Sequence, residues 1–279
     1  MKSFVALLGE SFRQWITNRS QRMGAALSFY TVLSLAPLAI LVLFLVSLAV
    51  ERNAARTEIV DQVSAFVGDE GAQMIEKILT NTSAESPGFL GTIIGFVVLL
   101  IGASGVFGEL QDSLNQIWGV SSKRHPVFLL VKERLISFVM VFVMGILMLV
   151  SFLFSAAVGA AGDFLHARLP ALDGPWELGN SLISLLIIAL LFALIFRMIP
   201  DVKIAWKDVW LGALIAAVLF VFGKLVLGFY FGRSVVASSW GAAGAVIIIL
   251  VWVFYSAQIL FFGATFTQVY ARRYGSQRK

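Results

Sequence analysis

Glu109, Asp112 and Asn115 recur at intervals of three, which on a helix of about 3.6 residues per turn places two carboxylates and an amide along one face. Paired carboxylates suit general acid–base chemistry, one donating and one accepting a proton. No nucleophile or metal ligand accompanies them, and Leu110, Leu114, Ile117 and Trp118 form the other face of the same helix. The set therefore reads equally as a structural polar network. Arg197 and Asp201 flank Pro200, where a charge pair would fix a turn. Lys224 and Arg233 are candidate contacts for a lipid phosphate, since a lysine ammonium is a compact cation. Snorkelling of Lys224 to the surface is the plain alternative. Tyr30, Tyr255 and Gln258 either line an interior cavity or join helices by hydrogen bonds.

Other chemistry is limited by inventory. With no cysteine in the chain, thiolate nucleophiles, thiolate metal sites and disulfides are excluded, and the redox compartment cannot be read. The two histidines are His125 and His166. No G-x-x-x-x-G-K-[ST] run occurs, so any transport is passive, ion-coupled or driven by a partner. No cofactor and no metal site is expected.

The elements that must carry these residues follow from composition. Of 279 residues, 59% are hydrophobic and only 13% charged, with a mean hydropathy of +0.90. A soluble domain carries about 25% charged residues, so this chain has too few to cover a water-facing surface. Six apolar stretches, near 25–49, 89–107, 136–158, 180–199, 208–231 and 242–268, are long enough to span a hydrocarbon core. Backbone groups cannot stay unpaired in lipid, so such runs are helices. The expected fold is an all-α polytopic membrane helix bundle with six transmembrane helices and additional amphipathic helices.

Residues 3–17 read as an interfacial helix with Phe4, Leu8, Phe12, Trp15 and Ile16 on its apolar face. Residues 56–79 read as two short helices on the opposite side, broken near Gly68 and Gly71; they either cap the bundle or guide a lipid or partner segment. The first span begins near Gly24 without a cleavage signature and reads as a signal anchor. Pro37 lies mid-span and should act as a kink or hinge. Gly91 with Gly95, Gly228 with Gly232, and the run 102–105 permit close helix approach, including association of two copies into a homo-oligomer.

Orientation follows from the cations, because cytoplasmic loops retain Lys and Arg. Lys2, Arg13, Arg19, Arg22, Lys123, Arg124, Lys132, Arg134, Arg197, Lys203, Lys207, Arg272, Arg273, Arg278 and Lys279 all fall on one side. The other side holds Arg52, Arg56, Lys77, Arg168 and Arg233. Both termini are thus expected in the cytoplasm. The implied organisation is an interfacial helix at 1–22, a transmembrane domain at 23–270 with a periplasmic loop at 50–88, and a basic tail at 271–279. The pI near 9.6 then reflects topology, and no nucleic-acid partner is expected: such binders concentrate stacking aromatics within a basic patch, whereas these cations are scattered at helix ends.

Four stretches are similar to one known family. GAALSFYTVLSLAPLAILVL (Gly24 to Leu43), LLIGASGVFGELQDSLNQIWGV (Leu99 to Val120), FRMIPDVKIAWKDVWLGALIAAVLF (Phe196 to Phe220) and SSWGAAGAVIIILVWVFYSAQILFFGATF (Ser238 to Phe266) resemble, in order, the YihY/BrkB family of bacterial inner-membrane proteins. The resemblance implies a role in the cell envelope, with serum resistance and transport of phospholipid or lipopolysaccharide among proposed functions. It also implies membrane lipids as partners and lipid bridging alongside long AsmA-like periplasmic proteins. An accessory, non-transporting scaffold is the alternative. The family has carried the label ribonuclease BN, against which this sequence argues: a metal-dependent nuclease needs clustered His and carboxylate ligands, and the expected topology places His125 and His166 on opposite sides of the membrane. Where many relatives read GAEF in the last helix, this chain reads GATF, so Thr265 removes a carboxylate that proton coupling would use.

Overall fold

The computed structural model describes residues 2–47, 51–67, 72, 73, 75–77, 79, 80, 105–120, 173–231 and 235–277. Among them every regular element is a helix. These are α1 (Lys2–Thr17), α2 (Ser20–Ser47), α3 (Arg52–Val67), a described stretch α4 (105–118), α5 (Asp173–Met198), α6 (Trp206–Phe231) and α7 (Val235–Arg273). Three helices are long and apolar enough to cross a membrane, over Ser181–Met198, Trp206–Leu227 and Val246–Arg273. They coincide with the last three expected spans. Helix α2 covers most of the first and continues through Pro37, whose ring nitrogen leaves one carbonyl of the preceding turn without its donor. The third expected span, and all but the last three residues of the second, lie outside the described residues.

Helix α7 is the central element, packed against α1, α2, α5 and α6. What distinguishes the two faces of the spans is size, because both are apolar. On α6, Gly212, Ala213, Ala216 and Ala217 face the protein, while Leu214, Val218, Phe222 and Leu225 are exposed. Small residues let helix backbones approach, and dispersion over the close contact replaces the hydrophobic force that lipid does not supply. The backbones of α6 and α7 meet closely at Gly212 and Gly263. A Cβ at Gly212 would lie 2.7 Å from the Gly263 carbonyl oxygen, and one at Gly263 would lie 2.8 Å from Ala216 Cβ. Phe192, Phe196 and Phe261 fill the space beside this contact.

Helix α1 divides its apolar arc. Leu7 packs with Phe266 and Val269 of α7, Phe4 meets Phe266 with ring centroids 6.1 Å apart, and Ser11 is buried with its hydroxyl donating to Leu7 O. Val5, Phe12 and Ile16, farther round the helix, are exposed. The expected single face is therefore split, one edge against α7 and the other outward, as an interfacial helix requires. Arg19, with φ of 57°, turns the chain into α2 through the left-handed region, which costs a non-glycine residue about 1–2 kcal/mol.

Helix α3 lies beside the helical residues 72, 73, 75–77, 79 and 80, while the expected break near Gly68 and Gly71 lies outside the described residues. Arg56 and Glu76 join them by an ion pair at 2.9 Å, and Ala72, Ile75 and Leu79 are buried.

Candidate functional site

The polar chemistry gathers where the two ends of the chain meet, and the end of α4 organises it. A helix finishes with four carbonyls lacking intrahelical donors. Here all four are met. Gly119, at φ 70°, lets Val120 N donate to Asn115 O at 2.9 Å and Gly119 N to Gln116 O at 3.0 Å, a Schellman closure. From α7, Gln268 Nε2 donates to Ile117 O at 2.5 Å and Arg272 Nη2 to Trp118 O at 3.3 Å. Those two side chains, four residues apart on one helix face, hold α4 against α7. Gln116 reaches the other way, donating to Asn18 O at 3.3 Å in the α1–α2 turn.

The α5–α6 connection joins the same cluster. Asn115 Nδ2 donates to Asp201 Oδ2 at 2.8 Å and Asp201 N donates back to Asn115 Oδ1 at 2.8 Å; Gln111 Nε2 adds a bond to Asp201 at 3.2 Å. Arg197, expected to pair with Asp201, takes other partners. Its Nη1 donates to Ile204 O, and its guanidinium stacks over Trp206 at 4.8 Å. Arginine thus closes the turn through a carbonyl and an aromatic face, leaving Asp201 to the amides of α4. The expected triad divides as well. Asn115 is in the network, whereas Glu109 accepts from Ser113 at 3.5 Å and Asp112 is exposed. Partial burial, with Asp112 adding to it, raises the Glu109 carboxyl above its ordinary 4.5, while Ser113 lowers it.

Asp208, in the first turn of α6, did not stand out in the sequence, yet it is 1% exposed. Its Oδ2 accepts from Ser276 N at 2.7 Å and Ser276 Oγ at 2.6 Å. Gln277 Nε2 donates to Lys203 O at 2.9 Å, and Arg273 pairs with Glu10 of α1 at 3.2 Å. The available signal for Asp208 was an acid opening an apolar helix, where the macrodipole favours a negative charge.

The other candidates stand apart. Gln258 presses on Gly24 of α2 and donates to Ser20 O at 3.4 Å. Tyr255 packs on Gly223, joining α7 to α6. Tyr30 is 38% exposed and covers Gly105. Lys224 is half-buried on α6, seventeen residues beyond Lys207, or about 25 Å at about 1.5 Å per residue. Arg233, His125 and His166 lie outside the described residues. Thr265 is fully buried, its hydroxyl donating to Phe261 O at 2.7 Å, so its own helix satisfies it. Beside the network a groove of about 370 Å³ runs along α5, α6 and α7, lined by Leu186, Ala189, Lys207, Trp210, Leu214 and Tyr270 among others.

A family model described as Virulence factor BrkB matches residues 11–279. The chain belongs to the BrkB family. Relatives include a UPF0761 membrane protein of Verminephrobacter eiseniae, 31% identical over 74% of this chain and 47% of that protein, and one of Ralstonia nicotianae, 29% identical over 88% of this chain and 54% of that protein. The chain thus spans about half the length of these relatives. The putative ribonuclease-like protein YfkH of Bacillus subtilis is 21% identical over 96% of both chains. No solved structure matches the chain significantly. Membership and the apolar helices together make this BrkB-family chain a membrane protein.

Proposed function

We propose that this BrkB-family protein resides in a bacterial inner membrane with both termini in the cytoplasm and takes part in phospholipid or lipopolysaccharide transport or homeostasis. One observation carries the reading. The groove on α5, α6 and α7 has apolar walls, and exposed Trp210, Leu214 and Leu186 open it sideways. A soluble solute calls for an enclosed site with several converging polar groups; an amphiphile needs an apolar flank beside a polar end. The cations of α1, the 199–205 connection with the first turn of α6, and the α7 tail gather at one end of the bundle, which supports assigning that end to the cytoplasm. The helix pair joined by Arg56 and Glu76 then faces the periplasm and offers the docking surface for an AsmA-like bridging partner.

The accessory-scaffold reading is favoured by a different observation, the backbone-level closure of α6 on α7 at Gly212 and Gly263, which makes a rigid bundle without a passage there. A nuclease is the least supported reading, despite the name of the Bacillus subtilis relative. The proposed topology keeps His125 and His166, the two histidines of the chain, on opposite sides of the membrane.

Reconstitution into vesicles carrying labelled phospholipid tests transport. Accelerated redistribution over empty vesicles, with Lys224→Ala as a comparison, is the expected result. Rates equal to empty vesicles would remove autonomous transport and leave the scaffold.

A further inference from the structure

We propose that the groove beside α6 is a binding site for one anionic phospholipid, with Lys207 holding the phosphate and the α5–α6 wall holding the start of the acyl chains. This deepens the lipid-handling reading and rests on it. The spacing comes first. Lys207, Trp210 and Leu214 stand at i, i+3 and i+7 on α6 and share one face. Lys207 is in the first turn of a membrane-spanning helix, so its ammonium sits at headgroup depth. Trp210 follows one turn deeper and Tyr270 closes the side from α7, amphipathic rings where the interfacial belt places them. Leu186, Ala189 and Leu214 continue the wall into the hydrocarbon.

Charge decides the occupant. Lys207 is exposed and makes no hydrogen bond or ion pair among the described residues, and the neighbouring acid, Asp208, is buried and committed to Ser276. A cation at the polar end of an apolar groove selects a lipid with net negative charge. The volume of about 370 Å³ lies at the low end for small-molecule sites, about 300–1,000 Å³. It holds the glycerophosphate and first methylenes, the remaining chains lying against the exposed leucines.

The test uses the full chain in neutral detergent. Tryptophan quenching by phosphatidylglycerol with brominated acyl chains is compared with quenching by equally brominated phosphatidylcholine, the Trp210→Phe variant identifying the Trp210 signal. The expected result is saturable quenching with about a fivefold preference for the anionic lipid, the size of one interfacial lysine. Lys207→Gln should abolish the preference, Lys207→Arg should keep it, and Lys203→Gln, an exposed cation outside the groove, should also keep it. Equal quenching by both lipids overturns the proposal, as does a preference that survives Lys207→Gln or is lost equally in Lys203→Gln. Redistribution in vesicles is read separately. A preference without redistribution supports the binding site and sinks transport; redistribution without a preference sinks the site alone.

Discussion

At Asp208 a carboxylate is almost wholly withdrawn from solvent, which is affordable because two donors from Ser276 reach the same oxygen. Charge-assisted bonds are worth about 1.5–3 kcal/mol each. Asp208→Ala should therefore lower stability by about 2–3 kcal/mol and free residues 274–277 for proteolysis, read by melting in detergent and timed digestion; an unchanged digestion pattern would show that the tail is held otherwise. Asp208→Asn, which keeps an acceptor, should lose less. Glu109 behaves in the opposite sense. Its raised carboxyl means that the folded chain binds the proton more tightly than the unfolded one, so this group's contribution to stability falls as pH rises above 4.5 towards the folded value. Glu109→Gln should thus melt higher than the parent at pH 7, with the advantage shrinking as the buffer is acidified towards 4.5. A difference independent of pH would assign the effect to something other than ionisation.

For the helices, the sharpest contrast lies between two glycines of one chain. A Cβ at Gly212 meets the Gly263 carbonyl at 2.7 Å, whereas one at Gly9 meets nothing within 4 Å. Gly212→Ala must push α6 from α7 and should cost about 1–3 kcal/mol. Gly9→Ala gains only helix propensity, up to about 1 kcal/mol. Thermal unfolding of both variants in one detergent checks the pair, and equal shifts would remove the argument that close approach, rather than glycine content, builds the bundle. Of the small residues that the sequence singles out, Gly91, Gly95, 102–104 and Gly232 lie outside the described residues and Gly105 is covered by Tyr30, while the backbone approach of α6 to α7 falls at Gly212 and Gly263. Where small residues recur at many points along the spans, sequence shows that close packing is possible without showing where.

For the whole molecule, the absence of cysteine permits a direct measurement of orientation. Asn53→Cys on α3 and Arg13→Cys on α1 both place a thiol at an exposed position. In intact cells with a permeabilised outer membrane, an impermeant maleimide should label Asn53→Cys at once and Arg13→Cys only after the inner membrane is opened; labelling of both at once would sink the proposed topology. Membrane residence and the positions of the last three spans were legible in the chain itself, because apolar length is a one-dimensional property that burial does not rearrange. The inward face of each span was not legible: α6 is apolar all round, and only packing distinguishes Ala213 and Ala217 inside from Phe222 and Leu225 outside. Partner choice was equally hidden. Asp201 stands four residues from Arg197 but bonds to Asn115, 86 positions away, because the orphan end of α4 is brought beside the α5–α6 turn. Proximity along the chain proposed one pair; the buried amide of Asn115, which only the assembled bundle brings to Asp201, selected the other.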